Sequence, residues 1–305
     1  MADEAPPLRV LLYPILTVAA MVLLFFSYTY SSYGPYSQVV ALSNKNLEKA
    51  LIETTSDTST VSIVVVGSSL TEHAFENVRG IEDSIFRRTH KKAKILRVSL
   101  NYMDLDLSKR IDIYGYVSKY SPNYLFIENY CFNINNVDTA GRIAPPIDAA
   151  LLQIRNYVRN AVGATTQDNY YIKWYTFDVK PPNEFYTDDF DSLMFKGLQR
   201  NKCVARSATK NGVANSAFEV LMKKNTKVVF LDMPQSNKLQ TNFLDRESTA
   251  ELDEVLKFYK TRYHIDYWGL PRVMDDSSFT DGIHLNAKGA KQYQEWFVSE
   301  LAAKK

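Results

Sequence analysis

Two short segments near opposite ends of the chain carry residue types suited to acyl transfer. The first is Val64-Val65-Val66-Gly67-Ser68-Ser69-Leu70-Thr71. A β-branched run ends at a glycine, two serines follow, and a helix is predicted to start beyond them. A serine at such a turn lies at the C-terminal edge of a parallel sheet, where open α/β folds bind their ligands. Helix-terminal amides nearby favour negative charge on a reacting oxygen. Taken alone, the segment also reads as a serine cap on the following helix. The second is Phe279-Thr280-Asp281-Gly282-Ile283-His284-Leu285-Asn286-Ala287-Lys288-Gly289. An aspartate three residues before a histidine, in a turn entering the last helix, can hold the imidazole in one tautomer and stabilise the imidazolium. By itself Asp-x-x-His suits a metal pair or a capping turn as well. His73, His90 and His264 show no helical metal-ligand spacing to one another, and Cys131 and Cys203 form no CxxC pair. No metal and no other cofactor is therefore expected. The two cysteines read either as buried thiols or as one disulfide.

Bringing these two segments together requires a scaffold, and the pattern between them supplies one. Short, mostly apolar runs at 61–66, 95–100, 124–128 and 227–231 read as buried parallel strands. Helical patterns at 107–120 and 214–224 lie between them, and a last helix is predicted over 287–301 with Asn286 as its N-cap. Strand alternating with helix predicts a three-layer α/β/α domain with a mostly parallel sheet over residues 59–305. The pattern weakens over about 134–213. Residues 147–162 look like an amphipathic helix, whereas 169–195 are rich in Tyr, Asp and Pro without a period. An insertion of this kind is usually a lid, a binding surface or a partner contact. Its cluster Tyr170, Tyr171, Trp174 and Tyr175 suits either a glycan groove or core packing.

Together the two end segments closely resemble the SGNH (GDSL-type) hydrolase family, over roughly residues 60–300. The resemblance implies Ser69 as nucleophile, His284 as general base and Asp281 as its orienting acid, with Ser68 in place of the family's usual aspartate. Ser69 is preferred over Ser68 on that register. The middle blocks depart from the family. No glycine follows the second strand, where Asn101 occupies the corner, and Ile127-Glu128-Asn129-Tyr130 keeps an asparagine but not its flanking glycine and aspartate. The resemblance then implies an oxyanion hole built from the Ser69 amide with Asn129 and Asn101. The departures look more like the membrane-tethered members that modify cell-surface polymers, such as the D-alanyl transfer protein of the teichoic-acid pathway and the alginate acetylation proteins. That implies an acylated, O-acetyl-bearing glycan or polymer as substrate and a multi-spanning membrane acyltransferase as a partner. The rival of another class is a catalytically degenerate SGNH fold serving such a complex as a scaffold. A second rival is phosphodiester or sulfate-ester hydrolysis at a metal.

The remaining features concern location. Residues 10–26 hold no charge and are mostly apolar, and with 27–30 they reach roughly the 20 residues that a bilayer requires. Tyrosines at both edges suit the membrane–water interface. A transmembrane anchor over 10–30 is expected, a cleaved signal peptide being the competing reading. Arg9 flanks its N-terminal side, and no basic residue follows until Lys45. The positive-inside tendency leaves residues 1–9 in the cytoplasm, 31–58 as a stalk or outer helix, and the domain outside. The 305 residues carry 36 basic and 34 acidic side chains, a net charge of +2, so no nucleic-acid partner is expected.

Overall fold

The computed structural model describes residues 8–31, 33–99, 111–136, 203–208, 212–237, 239, 246–271 and 274–304. The chain divides into two units, 1–42 with 141–174, and 43–140 with 175–305.

In the first unit, helix α1 spans Leu8–Ser31. Its long apolar side chains Leu12, Ile15, Leu16, Val18, Met21, Val22, Leu23 and Leu24 are all exposed. Pro14 lies in its second turn, where it cannot donate to the Val10 carbonyl. Among the described residues no helix is long and apolar enough to cross a membrane. The anchor expected over 10–30 is therefore not supported. Helix α2 follows over Tyr33–Thr55. The C-terminal part of α2, from Ser43, belongs to the second unit. Leu47 and Leu51 there are fully buried in the core.

The second unit is built on a sheet of five parallel strands, β1 Val61–Gly67, β2 Ala93–Ser99, β3 Tyr124–Glu128, β6 Lys227–Leu231 and β7 Asp266–Trp268. Their order across the sheet is β2-β1-β3-β6-β7. Successive side chains of a strand face opposite ways, and each face finds a core. Val64 and Val66 of β1, Leu125 and Ile127 of β3, and Val228 and Phe230 of β6 pack with Leu47 and Leu51 of α2. The same cluster holds Ile113, Tyr114 and Val117 of α5 (Ile113–Tyr120), Phe218 of α7 (Gly212–Lys223) and Tyr259 of α8 (Arg246–Tyr263). On the other face Ile63, Val65, Phe126 and Val229 meet α3 (Ser69–Ala74), α4 (Val78–Thr89) and α9 (Ala287–Ala303) through Phe75, Ile81, Tyr293 and Phe297. The expected three-layer α/β/α arrangement with a parallel sheet is what the structure shows.

Several short elements lie outside the sequence expectations. The chain after β3 makes a short helix α6 (Asn129–Asn133) and strand β4 (Ile134–Asn136), which pairs antiparallel with β5 (Cys203–Ala205). Strand β7 is only three residues long and opens on an aspartate, too short and too polar to register as a buried strand. Cys131 and Cys203 are both buried and free. Of the 134–213 insertion, 137–202 and 209–211 lie outside the described residues, with the 147–162 helix and the Tyr170, Tyr171, Trp174, Tyr175 cluster among them.

The register fixes which residues share the sheet's C-terminal edge. Val66 pairs with Ile127, Glu128 with Leu231, and Leu231 with Trp268. The residues just beyond the strands, Ser68, Asn129, Asp232 and Gly269, therefore fall along one edge of the molecule, where ligand sites of such sheets form.

Candidate active site

Strand β1 ends at Gly67 and the chain turns at once into α3. Ser68 is the N-cap, extended at φ −93° and ψ −160°, and its Oγ accepts from Leu70 N–H at 3.2 Å. A helix start leaves its first amides without intrahelical acceptors. Here three of four are accounted for. Leu70 N–H goes to Ser68 Oγ, while Ser68 N–H and Thr71 N–H both donate to Glu128 Oε2, at 2.7 and 3.2 Å. The Thr71 hydroxyl donates to the same oxygen at 2.6 Å, and Ser68 Oγ donates to Glu128 Oε1 at 2.6 Å. The fourth amide is that of Ser69, and among the described residues nothing accepts from it. Glu128 closes β3 and is only 1% exposed. Burial pushes its carboxyl above the usual range, against the opposing pull of the hydrogen bonds from Ser68 and Thr71.

The second segment folds as a tight local unit. Asp281 Oδ1 accepts the amides of Ile283 at 3.1 Å and His284 at 2.8 Å. This is the local side-chain turn that aspartate favours. Gly282 adopts φ 98°, a conformation available at little cost to glycine alone. The Gly282 carbonyl accepts from Ser236 N–H at 2.8 Å, which pins the turn to the chain following β6. Thr280 N–H donates to the His284 carbonyl at 2.8 Å, and Asn286 caps α9 by accepting Gly289 N–H at 3.0 Å. The predicted helix of 287–301 and its cap thus appear as α9. Gly289 has its own reason: a Cβ there would collide with the Ser278 carbonyl.

The two segments meet through one hydrogen bond. Ser69 Oγ lies 2.8 Å from His284 Nε2, and His284 Nδ1 lies 2.6 Å from Asp281 Oδ2. Asp281 is buried, with 4% of its side chain exposed against 12% for His284. Burial works against the Asp281 carboxylate. The hydrogen bond and charge of His284, with the two amides, outweigh it and hold the pKa below the usual value. The carboxylate therefore takes Nδ1–H, and Nε2 is left to accept the Ser69 proton. Ser69, Asp281 and His284, predicted as one set, stand in the order that nucleophilic catalysis requires.

Asn129 begins α6 at the strand edge and is 1% exposed. Its Oδ1 accepts from Asn133 Nδ2 at 2.6 Å, which leaves its Nδ2 as a donor with no acceptor among the described residues. Asn101, the other expected oxyanion residue, lies outside the described residues.

Three residues of this region escaped sequence reasoning. Glu128 was visible only as the polar end of an apolar strand. His73, one turn along α3 from Ser69, packs its ring against that of His284, tilted by 40° with centroids 4.8 Å apart, and donates Nδ1–H to the Leu285 carbonyl at 2.9 Å. Burial, then the neighbouring His284, lower its pKa to about 4 and keep it neutral. Asp232 follows β6 on the same edge, and burial raises its pKa to about 6 against a hydrogen bond from Tyr267.

No protein-family model and no curated protein matches this chain. Among solved structures, one described as an arylesterase from Agrobacterium tumefaciens is 10% identical with a TM-score of 0.37, covering 79% of this chain and 98% of its own. A GDSL-like lipase from Bacteroides thetaiotaomicron is 12% identical with a TM-score of 0.37, covering 86% of this chain and 98% of its own. At such identity and TM-score neither likeness bears on the reaction of this chain.

Proposed function

We propose that the chain is an SGNH-type serine enzyme that transfers acyl groups from esters through a covalent Ser69 intermediate. One observation carries this reading: the continuous Ser69–His284–Asp281 relay, at 2.8 and 2.6 Å, between segments 215 residues apart. Ser69 Oγ attacks the acyl carbonyl carbon while His284 Nε2 takes its proton. The oxygen that becomes negative is met by Ser69 N–H and Asn129 Nδ2. Collapse of the tetrahedral intermediate breaks the ester C–O bond, and His284 returns the proton to the leaving alkoxide. Water or a sugar hydroxyl, deprotonated by the same imidazole, then attacks the acyl-serine and frees Ser69. Asp281 stays ionised throughout and steadies the imidazolium. The relay itself argues against a purely scaffolding role, which would have no use for it.

The test is labelling with a fluorophosphonate, which reports an activated serine. The wild-type protein is expected to label, and Ser69→Ala to lose both labelling and ester hydrolysis, by about 10⁶-fold in kcat. A folded wild-type protein that does not label, or a labelled Ser69→Ala, overturns the reading.

The setting we propose is the outer side of a membrane, with an O-acetylated surface glycan or polymer as substrate and a multi-spanning acyltransferase as partner. It is supported by the apolar side chains that α1 leaves exposed around its whole circumference, a pattern suited to lipid. Arg9 at the N-terminal flank orients the domain outward. A reporter fused after Lys305 is expected to be active only outside the cytoplasm, and activity confined to the cytoplasm overturns this placement.

A further inference from the structure

Glu128 is a buried carboxylate with a narrow set of partners. Among the described residues no cationic side chain pairs with it. Among the described residues its carboxylate oxygens take four hydrogen bonds, all from the turn that carries Ser69: the amide and hydroxyl of Ser68 and the amide and hydroxyl of Thr71. Taking a carboxylate out of water is costly, and the hydrogen bonds that offset it come from two residues beside Ser69, namely Ser68 and Thr71. The chain has also been cleared to let the carboxylate in. A Cβ on Gly67 would overlap Thr71 Oγ1 and lie 2.5 Å from Glu128 Oε2.

We propose that Glu128 is a positioning residue for the nucleophile turn: it occupies the Ser68 and Thr71 amides and leaves Ser69 N–H as the amide of that turn available to an oxyanion. The inference rests on the reading of Ser69 as nucleophile. Its consequence reaches across the sheet. Glu128 is the last residue of β3 and Asn129 the next, so the clamp ties the turn after β1 to the turn after β3. Ser69 N–H and Asn129 Nδ2 are thereby set relative to each other by one side chain. Without it, the Ser68 and Thr71 amides are left without an acceptor, and the turn that aims Ser69 Oγ at His284 loses its anchor.

The chemistry of the clamp predicts which replacement works. The amides of Ser68 and Thr71 can only donate, and both use Oε2. Oε1 meets only the Ser68 hydroxyl, which can reverse its role and accept. A glutamine therefore fits with its carbonyl in place of Oε2 and its NH₂ facing Ser68 Oγ, whereas alanine removes every contact. Two readouts follow, one chemical and one independent of chemistry. In Glu128→Ala, kcat on a p-nitrophenyl ester and the rate of fluorophosphonate labelling are expected to fall about a hundredfold with KM little changed, the scale of a misplaced reacting group. Glu128→Gln is expected to recover most of that loss. In amide hydrogen exchange, Glu128→Ala should expose the Ser68 and Thr71 amides, and Glu128→Gln should keep them protected. Thr71→Val, which removes one hydroxyl and keeps the amide, stands in if the alanine variant fails to fold, with a several-fold loss in kcat expected.

A folded Glu128→Ala, or Thr71→Val in its place, with wild-type kcat overturns the proposal. So does a glutamine variant as impaired as alanine, because the charge and not the clamp would then be the cause. If the wild-type protein neither labels nor hydrolyses esters, the functional reading fails and the positioning role falls with it. Hydrogen exchange then still separates that case from a missing clamp.

Discussion

The two turns that form the site are held in opposite ways. In the base turn, Asp281, Gly282, Ile283 and His284 bond to one another across two or three residues. In the nucleophile turn, the decisive partner is Glu128, about sixty residues away, and the contact with His284 spans 215 residues. A local turn assembles its geometry wherever the segment goes. A turn clamped from a neighbouring strand has its geometry only once the sheet has formed. The Asp281–His284 turn is thus preorganised by its own sequence, and the Ser69 turn by the fold, so perturbing the two should have different signatures.

The sharpest test of the local turn is Asp281→Asn. It preserves shape but loses the carboxylate that takes Nδ1–H, so kcat is expected to fall by about 10⁴-fold with folding intact. Steady-state kinetics beside circular dichroism decides this, and unchanged turnover in a folded variant removes Asp281 from the site.

On the other side of the comparison stands Asn129, a residue of the β3 turn. If its Nδ2 meets the oxyanion, the bond forms fully only in the transition state, so Asn129→Ala should lower kcat and spare KM. The expected loss is about a hundredfold to a thousandfold, or about 3–4 kcal/mol. The bond from Asn133 also gives Asn129 a structural role. A melting temperature that drops while turnover per folded molecule holds would reduce Asn129 to that role.

The smallest effect should come from His73, which bridges the two turns by lying on α3 beside Ser69 while bonding the Leu285 carbonyl. Burial first, and His284 second, lower its pKa from 6.5 to about 4. The folded protein then binds fewer protons at this site than the unfolded chain between those values. Stability from this group is complete above about pH 6.5 and is lost as pH falls toward 4. His73→Gln should flatten that part of the profile of melting temperature against pH. It should also cost about 1 kcal/mol at neutral pH if the bond to Leu285 is lost. A profile as steep as that of the wild type would assign the acid sensitivity to another group.

Much of this was legible in the sequence. Strands β1, β3 and β6 follow directly from short β-branched and aromatic runs, because burial on both faces demands continuous apolarity. Asn286 and the last helix follow from capping chemistry. The Asp281–His284 unit is equally local, since a side chain reaching amides two and three residues on depends on nothing distant. Strand β7 was hidden because three residues carry no period, and β4 with β5 because their pairing joins segments far apart in the chain. Glu128 shows the same limit within the site. The sequence displays an acid at the end of an apolar strand, a pattern that describes any solvated strand end. Only the parallel register of β1 against β3 turns that carboxylate toward Ser68 and Thr71 and buries it there. The sequence thus determined which groups could react, because reactivity resides in residue type and short spacing. The tertiary structure alone decided which amide of the turn was left open, because that depends on the Ser68 and Thr71 amides finding Glu128 across the sheet.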